Sequence, residues 1–242
     1  MVNIRILILR IKKLLCAFRS KHSFWAFVRH RVLVSSEHKP IFNGKYKTII
    51  DIGANRGQFT LAARQWSPGA KVFAFEPLGG PAAIFRELFK NDRDVILFES
   101  AIGPEVETRK MHVSQSDDSS SLLPITTLQN SLFPGTEEVD VAEVEVAPLN
   151  EYVSQEDISG PAMLKLDVQG YEYEALIGCE KILPYIDTLY CECSFKELYF
   201  GQKLAFEVVE WLAERGFRIS EIPQITYDQD GHSVQADLFF VR

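Results

Sequence analysis

The stretch that most constrains the fold runs from Thr48 to Gln65 and reads TIIDIGANRGQFTLAARQ. An apolar run contains an acid, Asp51, two glycines, Gly53 and Gly57, follow it, and an amphipathic segment begins directly after them. This order is typical of a buried strand that turns tightly into a helix, the repeating unit of a parallel α/β sheet. Ligands of such sheets bind outside the carboxyl ends of the strands, so we expect a binding site at this turn.

Alternation of strands and helices continues along the chain and predicts the layout of one α/β domain. The predicted strands are 46–52, 71–75, 95–98, 163–166, 188–193, 217–222 and 236–241, and the predicted helices are 58–65, 81–90, 171–177 and 203–215. An irregular stretch, residues 103–150, adds two strand-like runs on either side of the polar loop QSDDSSSLLP, which suits either hydrogen bonds to a sugar or a solvent loop. We therefore expect an N-terminal extension, residues 1–40, and a domain of residues 41–242.

The chemistry of the turn separates two classes of ligand. A dinucleotide fingerprint requires G-x-G-x-x-G, whereas Gly53-Ala-Asn-Arg-Gly57 lacks the paired glycines. An acid before a single G-x-x-x-G suits an amino-acid moiety, because the helix N-terminus takes its carboxylate and Asp51 neutralises its ammonium, directly or through water. Glu76 ends the second predicted strand, where an acid accepts hydrogen bonds from both hydroxyls of a ribose. A ligand that combines an amino acid with a ribose is S-adenosyl-L-methionine.

Five segments, taken in order, resemble the FkbM family of S-adenosylmethionine-dependent methyltransferases. They are DIGANRGQFT, FAFEP, SAIG, MLKLDVQGYEYEAL and CECSFKELYFGQ, and the resemblance covers about residues 46–242. It implies a Rossmann-like class I methyltransferase fold, an α/β sheet of seven mostly parallel strands with an antiparallel last strand. It also implies O-methylation, often of sugar hydroxyls in glycans or glycolipids, or of natural products.

The resemblance assigns residues to the expected site. The cofactor-binding residues that it implies are Asp51, Gly53, Asn55 and Gly57 for the methionine end, Glu76 for the ribose, and Ser100 and Ala101 for the adenine. Asp167, which ends the fourth predicted strand, matches the acid that faces the methyl group. Plainer roles stay open: Gly57 starts a helix, Glu76 is a solvated turn acid, and Asp167 caps the following helix.

Methyl transfer to a hydroxyl needs alignment of the reactants and removal of a proton. We expect Asp167 to orient the hydroxyl and to accept its proton. Glu192 is a second candidate because the fourth and fifth strands should be neighbours, although an acid in that apolar run is equally suited to pairing within the core. The two acids are also able to hold a divalent cation, but the sequence shows no multi-acid metal cluster, and no metal is expected.

Two rival functions remain. One is an NAD(P)-dependent oxidoreductase, which the missing G-x-G disfavours, and the other is a non-catalytic binding domain on the same fold. The intact Asp51, Gly53, Gly57 and Glu76 disfavour the second.

Charge is distributed unevenly along the chain. Residues 1–40 carry nine Lys/Arg and one acid, a charge of +8, and the chain carries −7 overall, so the remaining residues carry −15. An acidic body disfavours nucleic acid as a partner. The expected partner is a sugar or small-molecule hydroxyl acceptor.

The first twenty residues form an amphipathic pattern with one apolar and one basic face, and their charges interrupt the apolar run too early for a transmembrane helix. Three interpretations stay open: contact with an anionic membrane surface, packing on the body or on a second copy in a homodimer, and organelle targeting. Four cysteines without zinc or disulfide spacing indicate a reducing compartment. We therefore expect a cytoplasmic protein, at the inner face of the membrane in the first interpretation.

Overall fold

The structure, a computed structural model, describes residue 18, residues 20–43 and residues 46–242. The helix expected in residues 1–20 therefore lies almost wholly outside the described residues. Within those ranges no helix combines the length and the apolar character that crossing a membrane requires.

The described residues contain ten strands and six α-helices. The strands are β1 (Thr48–Ile52), β2 (Lys71–Phe75), β3 (Val95–Phe98), β4 (Ala101–Ile102), β5 (Glu107–Ser114), β6 (Glu138–Ala147), β7 (Ala162–Leu166), β8 (Thr188–Ser194), β9 (Arg218–Tyr227) and β10 (Ser233–Val241). The helices are α1 (Lys21–His30), α2 (Gln58–Trp66), α3 (Gly79–Phe89), α4 (Thr127–Leu132), α5 (Glu172–Gly178) and α6 (Ala205–Glu214).

Seven strands form the main sheet in the order β3-β2-β1-β7-β8-β10-β9. Strands β3, β2, β1, β7 and β8 pair in parallel, and β10 runs antiparallel to both of its neighbours, β8 and β9. This confirms the expected sheet, in which the last strand alone is reversed. The chain changes direction along the sheet between β1 and β7, and their carboxyl ends lie side by side at that switch point.

Side chains that alternate along each strand divide the core into two layers. Ile50 and Phe73 face the layer that contains α5 and α6, whereas Ile49 and Val72 face the layer that contains α2 and α3. Helix α1 belongs to the second layer, where Ala26 is fully buried. The described part of the expected N-terminal extension therefore packs against the same core as β1.

A second sheet, in the order β4-β6-β5, combines β4 with two strands of the irregular stretch of the sequence. The two strand-like runs predicted there pair with each other as β5 and β6, antiparallel, and β4 adds in parallel to β6.

The largest difference from the predicted boundaries is at β9, which continues through Pro223 to Tyr227 instead of ending at residue 222. Strand β9 lies at the edge of the sheet and pairs with β10 only, so the missing N–H of Pro223 costs no ladder hydrogen bond on the outer side.

Candidate active site

A cleft lies at the carboxyl edge of the main sheet. Its floor follows the ends of β1, β2 and β7, and its roof comes from the second sheet and the loop after β5. Of the residues predicted for the site, those that line the cleft are Gly53, Asn55, Glu76, Ser100, Ala101 and Asp167, and those that do not are Asp51, Gly57 and Glu192.

The turn after β1 depends on three residues with left-handed backbone: Gly53 (φ 76°), Asn55 (φ 47°) and Gly57 (φ 92°). A Cβ atom on Gly53 would lie 1.8 Å from the carbonyl oxygen of Asp167, so only glycine allows the end of β1 to meet the end of β7. Gly57 lies outside the cleft and is the N-cap of α2.

Asp51 lies beneath the turn instead of in the cleft. It is fully buried, its Oδ2 accepts a hydrogen bond from Thr60 Oγ1 at 2.8 Å, and its Oδ1 lies 3.1 Å from Lys165 Nζ. Lys165 Nζ also donates to the carbonyl oxygens of Ile52 (3.2 Å) and Gly53 (2.6 Å). In this geometry the acid does not meet a ligand's ammonium directly, and the buried ion pair instead holds the backbone of the turn.

Glu76 enters the cleft from the end of β2 with 5% of its surface exposed. Its Oε2 accepts a hydrogen bond from the backbone N–H of Asn55 at 2.9 Å, and its Oε1 accepts one from that of Leu78 at 2.8 Å. Burial raises the pKa of Glu76 to about 7, although both N–H groups favour the carboxylate. Each oxygen keeps a lone pair for a ligand, so Glu76 is a buried acceptor and not a solvated turn acid.

Ser100 and Ala101 begin the wall between the two sheets. Ser100 Oγ lies within hydrogen-bond distance of the carbonyl oxygens of Ala101 (3.0 Å) and Glu145 (3.1 Å), and it accepts a hydrogen bond from Tyr152 at 2.8 Å. This hydroxyl therefore ties the floor to the second sheet. The apolar side chains that line the cleft beyond it are Ile102, Met111 and Leu122.

The loop QSDDSSSLLP forms part of the roof. Asp117 and Asp118 line the cleft within a short 3₁₀ turn, and Asp117 forms an ion pair with Arg56 of the turn after β1. This ion pair therefore connects the loop to the floor at the mouth of the cleft. The sequence predicts its polarity but gives no signal for this contact.

Asp167 follows the end of β7, Glu192 lies within the neighbouring strand β8, and Gln169 joins the two side chains. Gln169 Nε2 donates to Asp167 Oδ1 at 2.8 Å and to Glu192 Oε2 at 3.0 Å, and Glu192 Oε1 accepts a further hydrogen bond from Gln235. The side chain of Asp167 is 41% exposed in the cleft, whereas burial and then the charge of Asp167 raise the pKa of Glu192 well above its usual range. Asp167 lines the cleft and Glu192 does not, so Asp167 is the better-placed proton acceptor.

The turn after Asp167 is held by a second buried acid, Glu172. Its Oε1 accepts hydrogen bonds from the backbone N–H groups of Val168 (3.1 Å) and Gly170 (3.2 Å), and burial raises its pKa to about 7. The N-cap of α5 is Tyr171, so Asp167 does not cap that helix.

Sequence reasoning missed Lys165, Gln169 and Tyr199. The available signals were a lysine inside the apolar run MLKL and the polar residues of the DVQGYE and KELYFGQ segments. Among the described residues, the group with three closely spaced metal-ligating side chains lies elsewhere, in the β9–β10 turn (Asp228, Asp230 and His232), where Asp228 already pairs with Lys196 at 2.6 Å.

Comparison with known proteins shows the family. The sequence matches the profile of the Methyltransferase FkbM domain over residues 51–219. It is 30% identical over 179 residues to the 2-O-methyltransferase NoeI of Sinorhizobium fredii (strain NBRC 101917 / NGR234), a match that covers 72% of this chain and 72% of NoeI. It is 26% identical over 202 residues to the 31-O-demethyl-FK506 methyltransferase FkbM of Streptomyces tacrolimicus, a match that covers 71% of this chain and 72% of that protein.

A solved structure shares the fold. The crystal structure of methyltransferase FkbM from Methylobacillus flagellatus KT matches with a TM-score of 0.52 at 11% identity, over 81% of this chain and 44% of that protein. This chain therefore spans less than half the length of the crystallised protein, and the likeness concerns the Rossmann-like fold alone. The profile match covers well over half of the sequence, and the chain belongs to the FkbM family of methyltransferases.

Proposed function

We propose that this chain transfers a methyl group from S-adenosyl-L-methionine to a hydroxyl group, and that the acceptor is a sugar in a glycan, a glycolipid or a natural product. One observation carries the proposal. Glu76, a buried carboxyl with free lone pairs, and Asp167, a half-exposed carboxyl, line one cleft from the ends of β2 and β7.

The residues of the cleft fit this cofactor. The two oxygens of Glu76 have the acceptor capacity that a ribose diol needs. The left-handed turn from Gly53 to Gly57 allows close approach of the methionine end, and the apolar side chains of Ile102, Met111 and Leu122 suit the adenine ring.

The chain's own residues supply orientation and proton removal. S-adenosyl-L-methionine contributes a sulfonium-bound methyl group that is already electrophilic. Asp167 accepts the proton of the attacking hydroxyl, and the Gly53–Asp167 backbone contact keeps this acid next to the methionine-binding turn.

Two observations support an uncharged hydroxyl acceptor. The names of both curated relatives describe methyl transfer to an oxygen position. In addition, Asp117, Asp118 and Asp167 line the cleft, whereas Arg56 is paired with Asp117 and Lys165 is buried. Such a mouth repels phosphorylated or uronic acceptors.

The N-terminal segment supports a location of the protein at the cytoplasmic face of a membrane. On α1 and just before it, Phe18, Phe24 and Val28 are exposed, next to the exposed Arg29 and Arg31. Exposed apolar and basic side chains within one short segment suit contact with anionic lipid.

Calorimetric titration with S-adenosyl-L-methionine and, separately, with NAD tests the cofactor. Transfer of a tritiated methyl group to neutral methyl glycosides, with the matching uronic acids as the charged comparison, tests the acceptor. Binding of NAD but not of S-adenosyl-L-methionine would reject the proposal. Transfer to uronic acids in preference to neutral sugars would reject the uncharged acceptor.

A further inference from the structure

Gln169 has a left-handed backbone (φ 54°) and is followed by a second left-handed residue, Gly170 (φ 94°). A residue with a Cβ is disfavoured in this region, and glutamine lacks the short side chain with which asparagine and aspartate stabilise it locally. Strain of this kind persists where surrounding contacts enforce it. The contacts of the Gln169 side chain are therefore the feature to explain.

All the hydrogen-bonding groups of that side chain are engaged. The two N–H bonds of Nε2 point to Asp167 Oδ1 (2.8 Å) and Glu192 Oε2 (3.0 Å), and Oε1 accepts a hydrogen bond from the Tyr199 hydroxyl at 2.8 Å. A flipped amide would set its oxygen against both carboxyl groups, so the donor Tyr199 and the acceptors Asp167 and Glu192 all select one orientation.

Gln169 forms a hydrogen bond with only one of the two carboxylate oxygens of Asp167, and the other oxygen remains available to accept a proton. An N–H of Gln169 donates to Asp167 Oδ1. Across the described residues no donor lies within hydrogen-bond distance of Asp167 Oδ2, and the distance from Lys165 Nζ to this atom is 3.8 Å. Asp167 lines the cleft, so Oδ2 is the atom with lone pairs to offer to a hydroxyl there.

We propose that Gln169 is a positioning residue for methyl transfer: its amide holds Asp167 by one N–H and Glu192 by the other, and so fixes Asp167 Oδ2 as the atom that receives the acceptor's proton. This rests on the proposed function. In the balanced step the acceptor oxygen bonds to the methyl carbon, the carbon–sulfur bond breaks with its electron pair left on sulfur, and the hydroxyl proton passes to Oδ2.

Tyr199 extends the arrangement to the roof. Its ring packs on Gly170, where a Cβ atom would come within 2.7 Å of it, and its hydroxyl lies 3.1 Å from the carbonyl oxygen of Ser119. The hydroxyl has one proton, and the shorter distance favours Gln169 Oε1 as its acceptor, so Tyr199 positions the Gln169 amide next to the loop that covers the cleft.

The first test needs no acceptor. In a ¹H–¹⁵N spectrum of protein labelled at glutamine side chains, the Gln169 pair is the one that disappears in Gln169→Ala. We expect Asp167→Asn to move one proton of this pair and Glu192→Gln to move the other, while the remaining spectrum stays dispersed. If neither substitution moves the pair, the proposal is overturned, whether or not S-adenosyl-L-methionine binds.

The second test uses the neutral glycoside that accepts the tritiated methyl group. Gln169→Glu keeps the shape but replaces the N–H donor by a third carboxyl group, and we expect kcat to fall about 100-fold at pH 8, with the Kd for S-adenosyl-L-methionine within about threefold of wild type. Protonation of the introduced carboxylate restores one donor, so the ratio of variant to wild-type kcat should rise as the pH falls to 6. The charged and titratable groups around this position are Lys165 and Asp167 of the β7 end, Glu172 of α5, Glu192 of β8, Tyr199 of the following loop and Asp237 of β10.

The matched control is Gln224→Glu, the same substitution on the exposed edge strand β9, for which we expect wild-type kcat. A ratio for Gln169→Glu that does not change with pH, or a kcat equal to that of the control, contradicts the positioning role. Absence of transfer by the wild type, with the amide pair still responding to both acids, would instead contradict the proposed function.

A stability measurement separates backbone strain from the side chain's role. Gln169→Ala and Gln169→Gly both remove the amide, and only glycine relieves the left-handed backbone, so Gln169→Gly should melt about 2–4 °C above Gln169→Ala. Both variants should lose the same fraction of kcat. If the more stable variant regained activity, strain and not the amide would explain the defect.

Discussion

Replacing Glu76 by glutamine tests the ribose assignment and the energetics of a buried acid together. In the folded protein Glu76 is 5% exposed, and both of its oxygens accept backbone hydrogen bonds. Glutamine keeps the shape and removes the charge. Its single carbonyl oxygen can serve only one of the two N–H donors, from Asn55 or Leu78.

The pH dependence of stability follows from the raised pKa. Burial moves the pKa of Glu76 from 4.5 to about 7, which at roughly 1.4 kcal/mol for each pH unit corresponds to about 3 kcal/mol. Because the folded pKa is the higher one, the folded state binds the proton more tightly. This contribution to stability is fully present below about pH 4.5 and is lost as the pH rises through 7.

Glu76→Gln has no such group, so the free energy of unfolding of the wild type should fall by about 2–3 kcal/mol relative to the variant between pH 5 and pH 8. Urea unfolding of both proteins at the two pH values measures this difference. Glu172, whose pKa is also raised to about 7, is present in both proteins and cancels in the comparison.

Cofactor affinity should respond in the opposite direction. The ionised carboxylate is the better acceptor for two hydroxyls, so wild-type affinity for S-adenosyl-L-methionine should rise with pH through about 7. At pH 8 the variant should bind roughly 10- to 150-fold more weakly, the equivalent of about 1.5–3 kcal/mol for hydrogen bonds to a charged group. Equal affinity of the two proteins in calorimetry at pH 8 would refute the ribose role of Glu76.

Three further predictions concern other parts of the molecule. Gly53→Ala should lower the free energy of unfolding by about 2–4 kcal/mol in urea, because its Cβ would meet the Asp167 carbonyl oxygen, whereas Gly69→Ala, with no atom within 4 Å, should not; equal effects would contradict the close contact. Asp167→Asn should lower kcat by about 10²–10⁴ with the Kd for S-adenosyl-L-methionine little changed, and EDTA should leave the wild type active; loss of activity on chelation would favour a metal at the two acids. The full chain should sediment with anionic vesicles, less so in high salt and not at all without residues 1–20; a full chain that stays in the supernatant at low salt would assign this segment to packing.

The sheet could be predicted because its signals are local. Each parallel strand is a short apolar run bounded by turn residues, and the predicted 71–75 and 95–98 coincide with β2 and β3. The side chain of Asp51 could not be placed in the same way. Within a strand buried on both faces, the sequence does not reveal that Asp51 points to Thr60 and Lys165 and not to the cleft.

The parts of the site that escaped prediction depend on contacts between distant segments. Gln169 meets Glu192 and Tyr199, and the Arg56–Asp117 ion pair joins the turn after β1 to the loop after β5. Pairing of β5 with β6 places that loop over the cleft, and this pairing spans a helix and a long loop. A local sequence pattern does not encode contacts between segments so far apart in the chain, so it marks these residues only as isolated polar positions.

The second sheet gives the molecule a modular construction. Residues 107–147 enter after β4 and leave before β7, so they supply the roof as one continuous insertion, while the floor comes from the main sheet. The side-chain contacts of this insertion with the floor include Arg56–Asp117, Arg109–Tyr171 and Tyr199–Ser119. Exchange of this segment between relatives would therefore replace roof residues such as Met111 and Leu122 and keep Glu76 and Asp167 of the floor, and we expect the chimera to take the acceptor preference of the protein that supplied the roof.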